Sequence, residues 1–240
     1  MILSNNALLP VFLGSGAAFY PEAGNTSAYF LADKHLYLID CGETVFSELM
    51  KRGIFQDISA VTAVISHLHS DHCGSLSSLI IYCHYALGIP FYLCVPDHGE
   101  YCSQLKILLK LMGCTESLYS FITESELSCF GPYQALHYIP TEHVPCLLCH
   151  SFVLDSPEGS LFYSADTCSL SPLQNFISDH NKITGIFFDV TDADFPGNVH
   201  VCLTKAVSAI PLRLRERTFF IHMNSRECAE KCRALGFQTI

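Results

Sequence analysis

One stretch of nine residues constrains this chain more than any other: Ser66-His67-Leu68-His69-Ser70-Asp71-His72-Cys73-Gly74. It follows Val61–Ile65, a largely β-branched run with no turn former, which reads as a buried strand. Three histidines and one aspartate fall within six positions, directly after that strand. Imidazole and carboxylate are donors that divalent zinc, iron or manganese accepts. Side chains alternate along extended backbone, so His67 and His69 point the same way and can grip one ion. Asp71 and His72, past the bend and at a helix start, reach a second. A lone histidine is more often a surface or satisfied core residue than a ligand; four donors at one strand-to-helix turn point to metal.

The rest of the chain alternates in a way that suits such a turn. Short strands are expected at Leu9–Leu13, Ser27–Ala32 and His35–Ile39, with Gly14, Gly16, Pro21, Gly24 and Asn25 supplying turn chemistry between the first two. Thr44 is expected to cap a helix running to about Arg52. An apolar helix over Ser75–Leu87 is stopped by Gly88 and Pro90, and a strand follows at Phe91–Val95. Asp97 reads as the N-cap of a helix reaching about Met112, with Gly113 just past its end. Strands are expected near Gln134–Ile139, His150–Leu154 and Leu161–Ser164. Then come helix Pro172–His180, strand Gly185–Val190, helix Leu203–Ile210, strand Thr218–His222 and helix Arg226–Leu235. Two halves that open in strands and close in alternating helix and strand suit two sheets packed face to face with helices outside, an α/β arrangement. No linker, low-complexity run or internal repeat breaks the pattern, so one domain over residues 1–240 is expected.

Charge and cysteine usage narrow the function. Twenty-three acidic residues against thirteen basic ones leave a formal charge of -10, which argues against holding a long nucleic acid by its phosphates. Lys205, Arg213, Arg215, Arg217, Arg226, Lys231 and Arg233 read as a solvated face, with a phosphate-steering patch as the alternative. Thirteen cysteines make an odd count in a chain too large to need staples. Cys41, Cys83, Cys94, Cys129 and Cys202 lie in apolar runs and read as small buried hydrophobes. Cys146 and Cys149 have no second pair to complete a zinc site and read as core cysteines, so a reducing cytoplasm is expected. The opening stretch Met1–Gly16 has neither a basic region nor a small-residue cleavage site, and Leu76–Pro96 is too interrupted to span a bilayer.

His67-x-His69-x-Asp71-His72 resembles the signature of the metallo-β-lactamase superfamily. The resemblance implies a four-layer αββα sandwich and further ligands in a fixed order, each following a strand. His143 in Pro140-Thr141-Glu142-His143, Asp166 in Phe162-Tyr163-Ser164-Ala165-Asp166, and His222 after Phe219-Phe220-Ile221 answer to that order. Carried over, His67, His69 and His143 would bind one divalent ion, Asp71, His72 and His222 a second, and Asp166 would bridge them. Zinc is the ion expected, with manganese or iron as alternatives. Asp40, in Ile39-Asp40-Cys41-Gly42, is expected to orient a ligating histidine rather than bind metal.

A narrower resemblance lies in Phe12-Leu13-Gly14-Ser15-Gly16, Gly24-Asn25-Thr26-Ser27 and Leu38-Ile39-Asp40-Cys41-Gly42-Glu43. These are similar to the branch that contains the tRNA 3′-processing endonucleases (RNase Z) and related phosphodiesterases. The branch implies a catalytic histidine before the last strand, and His200 in Asn198-Val199-His200 answers to it, although the following Thr is displaced. The His-Glu pair usual upstream is Phe188-Asp189 here, which alters the proton-relay partner. The implied chemistry is attack by metal-bound hydroxide, oriented by Asp71, with His200 protonating the leaving alkoxide. His143 and Asp166 are only 23 positions apart, too few for the tRNA-holding arm of the bacterial nucleases. A small phosphodiester, most of all a cyclic nucleotide, is therefore the expected substrate. An RNase Z-like nuclease and a thioester or lactone hydrolase are the alternatives. Tyr20, Phe46 and Tyr133 could stack a base or lie in the core, and a homodimer is expected by analogy with the branch.

Overall fold

The computed structural model describes residues 8–240; Met1–Ala7, the start of the stretch read above for a leader signature, lie outside them. The first half runs β1 (Val11–Gly14), β2 (Ser27–Ala32), β3 (His35–Ile39), α1 (Val45–Lys51), β4 (Ala60–Val64), α2 (Ser70–Cys73), α3 (Leu76–Tyr82), β5 (Phe91–Val95), α4 (Tyr101–Leu111) and β6 (Ser120–Thr123). The second half runs β7 (Ala135–Thr141), β8 (Cys149–Ser156), β9 (Gly159–Tyr163), α5 (Ser171–Asp179), β10 (Ile183–Asp189), α6 (Leu203–Ala209), β11 (Thr218–Ile221), α7 (Arg226–Ala234) and β12 (Gln238–Thr239).

Each half builds one six-stranded sheet, in the order β1-β2-β3-β4-β5-β6 and β12-β11-β10-β9-β8-β7. In chain order, the first three strands of each sheet pair antiparallel, and the third to the sixth pair parallel. The two halves thus repeat one topology, although the sequence shows no repeat. What recurs is strand direction and patterning, not residue identity.

Period-two alternation explains the layering. Leu36 and Leu38 of β3, with Val61 and Ala63 of β4, face a core that includes Val45, Leu79 and Leu105 of α1, α3 and α4. Tyr37, Ile39 and Val64 point the other way and meet Leu161, Tyr163 and Phe187 of the second sheet. Phe162, Phe188 and Phe220 leave that sheet on its far side to pack on Leu173, Ala206 and Cys228 of α5, α6 and α7. Three apolar layers between four layers of structure make the expected αββα sandwich. The central strands are apolar on both faces because both faces are covered.

Several local expectations are corrected. Thr44 precedes α1, but its Oγ1 accepts the backbone N–H of Asn25 (2.8 Å) instead of capping the helix. Asp97 does not start α4, which begins after Glu100; its carboxylate accepts Ser125 N–H at 3.1 Å and ties the loop to the end of β6. Strands β6 and β12 were not expected, being short and set at the sheet edges. Cys146 is exposed, whereas Cys149 is buried. Among the described residues no helix is long and apolar enough to cross a membrane.

The packing of the outer layer can be tested at Phe162, which is fully buried with its ring 5.2 Å from that of Phe176. Phe162→Ala should cost about 3–5 kcal/mol of unfolding free energy through lost transfer energy and the cavity left behind. A loss under about 1 kcal/mol in denaturant titration would contradict this packing.

Candidate metal centre

Parallel strands carry their carboxyl ends to one edge of a sheet, where sites collect in α/β folds. Asp40 follows β3, His67 to His72 follow β4, His143 follows β7, Asp166 follows β9, Asp189 ends β10 and His222 follows β11. The backbone bends sharply to bring them together. Asp40, Ala165 and His222 take positive φ values of 61°, 50° and 58°, a conformation that costs of order 1–3 kcal/mol at a non-glycine residue. Gly42 is where the exit of β3 touches the start of α2: a Cβ there would overlap the carbonyl oxygen of Asp71. Only glycine permits that approach.

The convergence is tight. His67, His69, His143 and Asp166 each offer one donor atom within 4.8 Å of the others, and so do Asp71, His72, Asp166 and His222. Asp166 belongs to both groups. All seven residues are buried except His69, which is partly exposed. Asp166 carboxylate oxygens lie 3.2 Å from His72 Nε2, 3.4 Å from His222 Nε2, 3.7 Å from His143 Nε2 and 3.9 Å from His67 Nε2. Asp71 Oδ2 lies 3.2 Å from His222 Nε2.

Outer partners aim these rings. Asp40 holds His72 Nδ1 at 2.8 Å and also accepts Ser66 N–H and Oγ–H at 2.7 and 2.9 Å. His143 Nδ1 donates to Val199 O at 2.9 Å. Asp189 Oδ1 lies 3.4 Å from His222 Nδ1. In each case the outer contact leaves Nε2 turned to the centre.

Whether these residues suit a pair of cations can be judged from the polar atoms they leave over. His72 Nε2 and Asp166 Oδ1 are buried and lie 3.2 Å apart, yet neither makes a hydrogen bond among the described residues. Such orphans cost about 1–3 kcal/mol each unless something satisfies them. A neutral imidazole nitrogen and a carboxylate oxygen are what divalent zinc, iron or manganese bind. Two donor groups sharing one carboxylate fit two divalent ions.

Electrostatics agree. Burial opposes charging of His222, but the carboxylates of Asp166, Asp189 and Asp71 raise it to about 10. Burial also opposes charge on His72, yet Asp166 and Asp40 hold it well above the ordinary value. Burial would raise Asp71 and Asp166, but the neighbouring His222 and His72 keep both carboxyls ionised. His67, His69 and His143 are pushed down, chiefly by burial, and stay neutral. Without metal, protons on His72 and His222 do the work that cations would do.

His200 stands beside the centre, its ring 5.0 Å from those of His143 and His222. Its Nδ1 lies 2.7 Å from Asp189 Oδ2, which also accepts Thr167 N–H at 3.0 Å. Burial is again outweighed, and Asp189 raises His200. Asp189, which the sequence set at the altered relay position, meets His200 as that position implies and also approaches His222, a second contact the sequence did not single out. An acid ending a run of buried aromatic residues was the available signal. Of the proposed aromatics, Tyr133 is fully buried, and Phe46 and Tyr20 pack against the outer cores.

Loading metal should release protons. The carboxylates around His72 and His222 raise both above the ordinary imidazole value, so protons compete with a metal ion for the same ring nitrogens. Protons should be released on saturation, and affinity should weaken as pH falls. Calorimetric titration in buffers of unlike ionisation enthalpy measures this; equal heats in all of them would remove the claim.

The sequence profile of a family described as "Anti-Pycsar protein Apyc1" matches residues 9–240. A protein of that description from Paenibacillus harenae is 27% identical over 219 residues, covering 88% of this chain and 87% of that one. Another from Bacillus phage BSP38 is 28% identical over 229 residues, covering 88% and 86%. Among solved structures, the metallo-β-lactamase fold protein YhfI from Bacillus subtilis superposes with a TM-score of 0.69 over 96% of this chain and 94% of its own, at 16% identity.

Proposed function

The chain belongs to the Anti-Pycsar protein Apyc1 family, and on that premise we propose that this metal-dependent phosphodiesterase hydrolyses a small phosphodiester, above all a cyclic nucleotide. The observation that carries the reading is the pair of four-donor groups sharing Asp166, with His200 set beside them on the Asp189 carboxylate.

His67, His69, His143 and Asp166 would hold one ion, and Asp71, His72, Asp166 and His222 the other, zinc being the best match to an imidazole-rich set. Two divalent ions, when bound, supply a nucleophile at neutral pH and Lewis-acid stabilisation of the phosphoryl oxygens. The chain's residues do the rest. Asp71 and Asp166 offset two of the four positive charges, leaving an excess that suits a monoanionic diester. Asp71 Oδ2, at the mouth of α2, orients the attacking oxygen. His200, held at Nδ1 by Asp189, has Nε2 free to donate a proton to the leaving alkoxide, a contribution of typically ~10²–10⁴ in rate.

Size and charge favour a small substrate. The 23 positions from His143 to Asp166 are taken up by β8, β9 and their connections, so no arm for tRNA projects there. The net charge of -10 removes the electrostatic grip a long RNA needs. Thirteen free cysteines suit a reducing cytoplasm, and the homodimer implied by the branch is the assembly we assign.

A panel assay of the zinc- or manganese-loaded protein decides the substrate class. Turnover of cyclic nucleotides and bis(p-nitrophenyl) phosphate is expected, with none of a thioester or of nitrocefin. Turnover confined to either of the last two would overturn the proposal. Within the reaction, His200→Ala should keep normal metal content but lose about 10²–10⁴ in kcat with a nucleoside leaving group. The loss with p-nitrophenolate, which needs little protonation, should be far smaller; equal losses would take His200 out of the acid role.

A further inference from the structure

A cavity of about 570 Å³ opens beside the metal centre, with His200 in its wall. The volume lies within the range of small-molecule sites, roughly 300–1,000 Å³. Its other walls include Cys168 and Leu170 after β9, Phe195 and Asn198 on the loop after β10, and Lys205 in α6. The catalytic imidazole is therefore shared between the metal centre and this space.

Phe195 distinguishes the cavity. It is 57% exposed, and no aromatic partner stacks on it among the described residues. The loop presenting it is fastened. Asn198 Nδ2 donates to Ala193 O at 2.9 Å, Asn198 N–H to Phe195 O at 3.2 Å, and Asn198 Oδ1 accepts His200 N–H at 3.1 Å. Thr191 N–H and Val201 N–H close the base of the loop on Val201 O and Thr167 O. One turn thus fixes the backbone that carries both the acid and the exposed ring. The ring stands at the cavity wall with a face open to a flat apolar group. The polar groups at the rim, Lys205 and Asp194, lie 4.0 Å apart and about two-thirds exposed, so they form no buried pair that would read a base edge.

We propose that this cavity holds the nucleoside half of the substrate, with its base stacked on Phe195. The assignment rests on the phosphodiesterase reading above and gives it a specificity element. Stacking without edge reading predicts tolerance of different bases, with purines held more tightly than pyrimidines because they offer the larger face.

The test uses the metal-loaded, full-length protein. Phe195→Ala should lower kcat/KM for cyclic purine nucleotides by about fivefold to a hundredfold, mainly through KM, as loss of one base–aromatic stack predicts. Phe195→Tyr should restore it. The fluorescence of 2-aminopurine riboside 5′-monophosphate should be quenched on binding wild-type protein and not on binding Phe195→Ala, a readout independent of turnover. Phe19→Ala, at an aromatic that is 98% exposed and lines no part of this cavity, serves as comparison. If wild type turns over cyclic nucleotides but Phe195→Ala changes KM by less than twofold and leaves the quenching intact, the stacking assignment is wrong. It is equally wrong if Phe19→Ala carries the loss. If wild type turns over no phosphodiester, the functional reading fails first, and quenching still reports whether the cavity binds a base.

Discussion

Asp166 is 2% exposed, and imidazole nitrogens of His72, His222, His143 and His67 lie 3.2 to 3.9 Å from its oxygens. A carboxylate cannot stay charged in such a place without compensation. The whole edge of the sandwich is arranged around that requirement. Positive charge must reach this point, as protons on His72 and His222 or as cations held by both donor groups. The same requirement keeps the surrounding loops tied to one geometry.

The compensation is distributed over strand ends far apart in sequence. Asp40 fixes His72, Asp189 fixes His200 and lies 3.4 Å from His222, and a backbone carbonyl fixes His143. These outer contacts sit on left-handed backbone at Asp40 and His222, and the chain beside Asp166 is bent the same way at Ala165. Such strain persists only where the packed layers beneath hold the strands rigidly. The apolar cores on both faces of each sheet therefore do more than stabilise the fold. They give the strand ends the stiffness a preorganised site needs. Asp189 couples the centre to the proposed acid, since one carboxylate meets a candidate ligand and the group beside it.

Much of the fold was legible in the chain because its signals are local. β2, β3 and β5 fall where short apolar runs bounded by turn residues placed them, and Gly88, with φ 64°, closes the helical segment after α3. Where expectation failed, a side chain had a better partner elsewhere. Thr44 and Asp97 have the residue type of an N-cap, but each serves a neighbouring loop instead. No local pattern could reveal that, because the competing N–H groups belong to residues 19 and 28 positions away. The repeated topology of the two sheets was hidden for a related reason: strand direction leaves little mark on residue identity.

The sequence by itself determined that four metal-type donors would lie within one strand-to-helix turn, since spacing along a few residues fixes which side each faces. It also determined two-faced strands and hence covered sheets. Tertiary structure alone decided how those donors meet His143, Asp166 and His222, which nitrogen each ring turns inward, and that Asp189 reaches both His200 and His222. It likewise decided that Phe195 stands open at a cavity while Tyr133 is sealed in the core. The physical reason is range. Propensity and periodicity act over a few residues, whereas hydrogen-bond partners and burial depend on groups brought together only when the sheets pack.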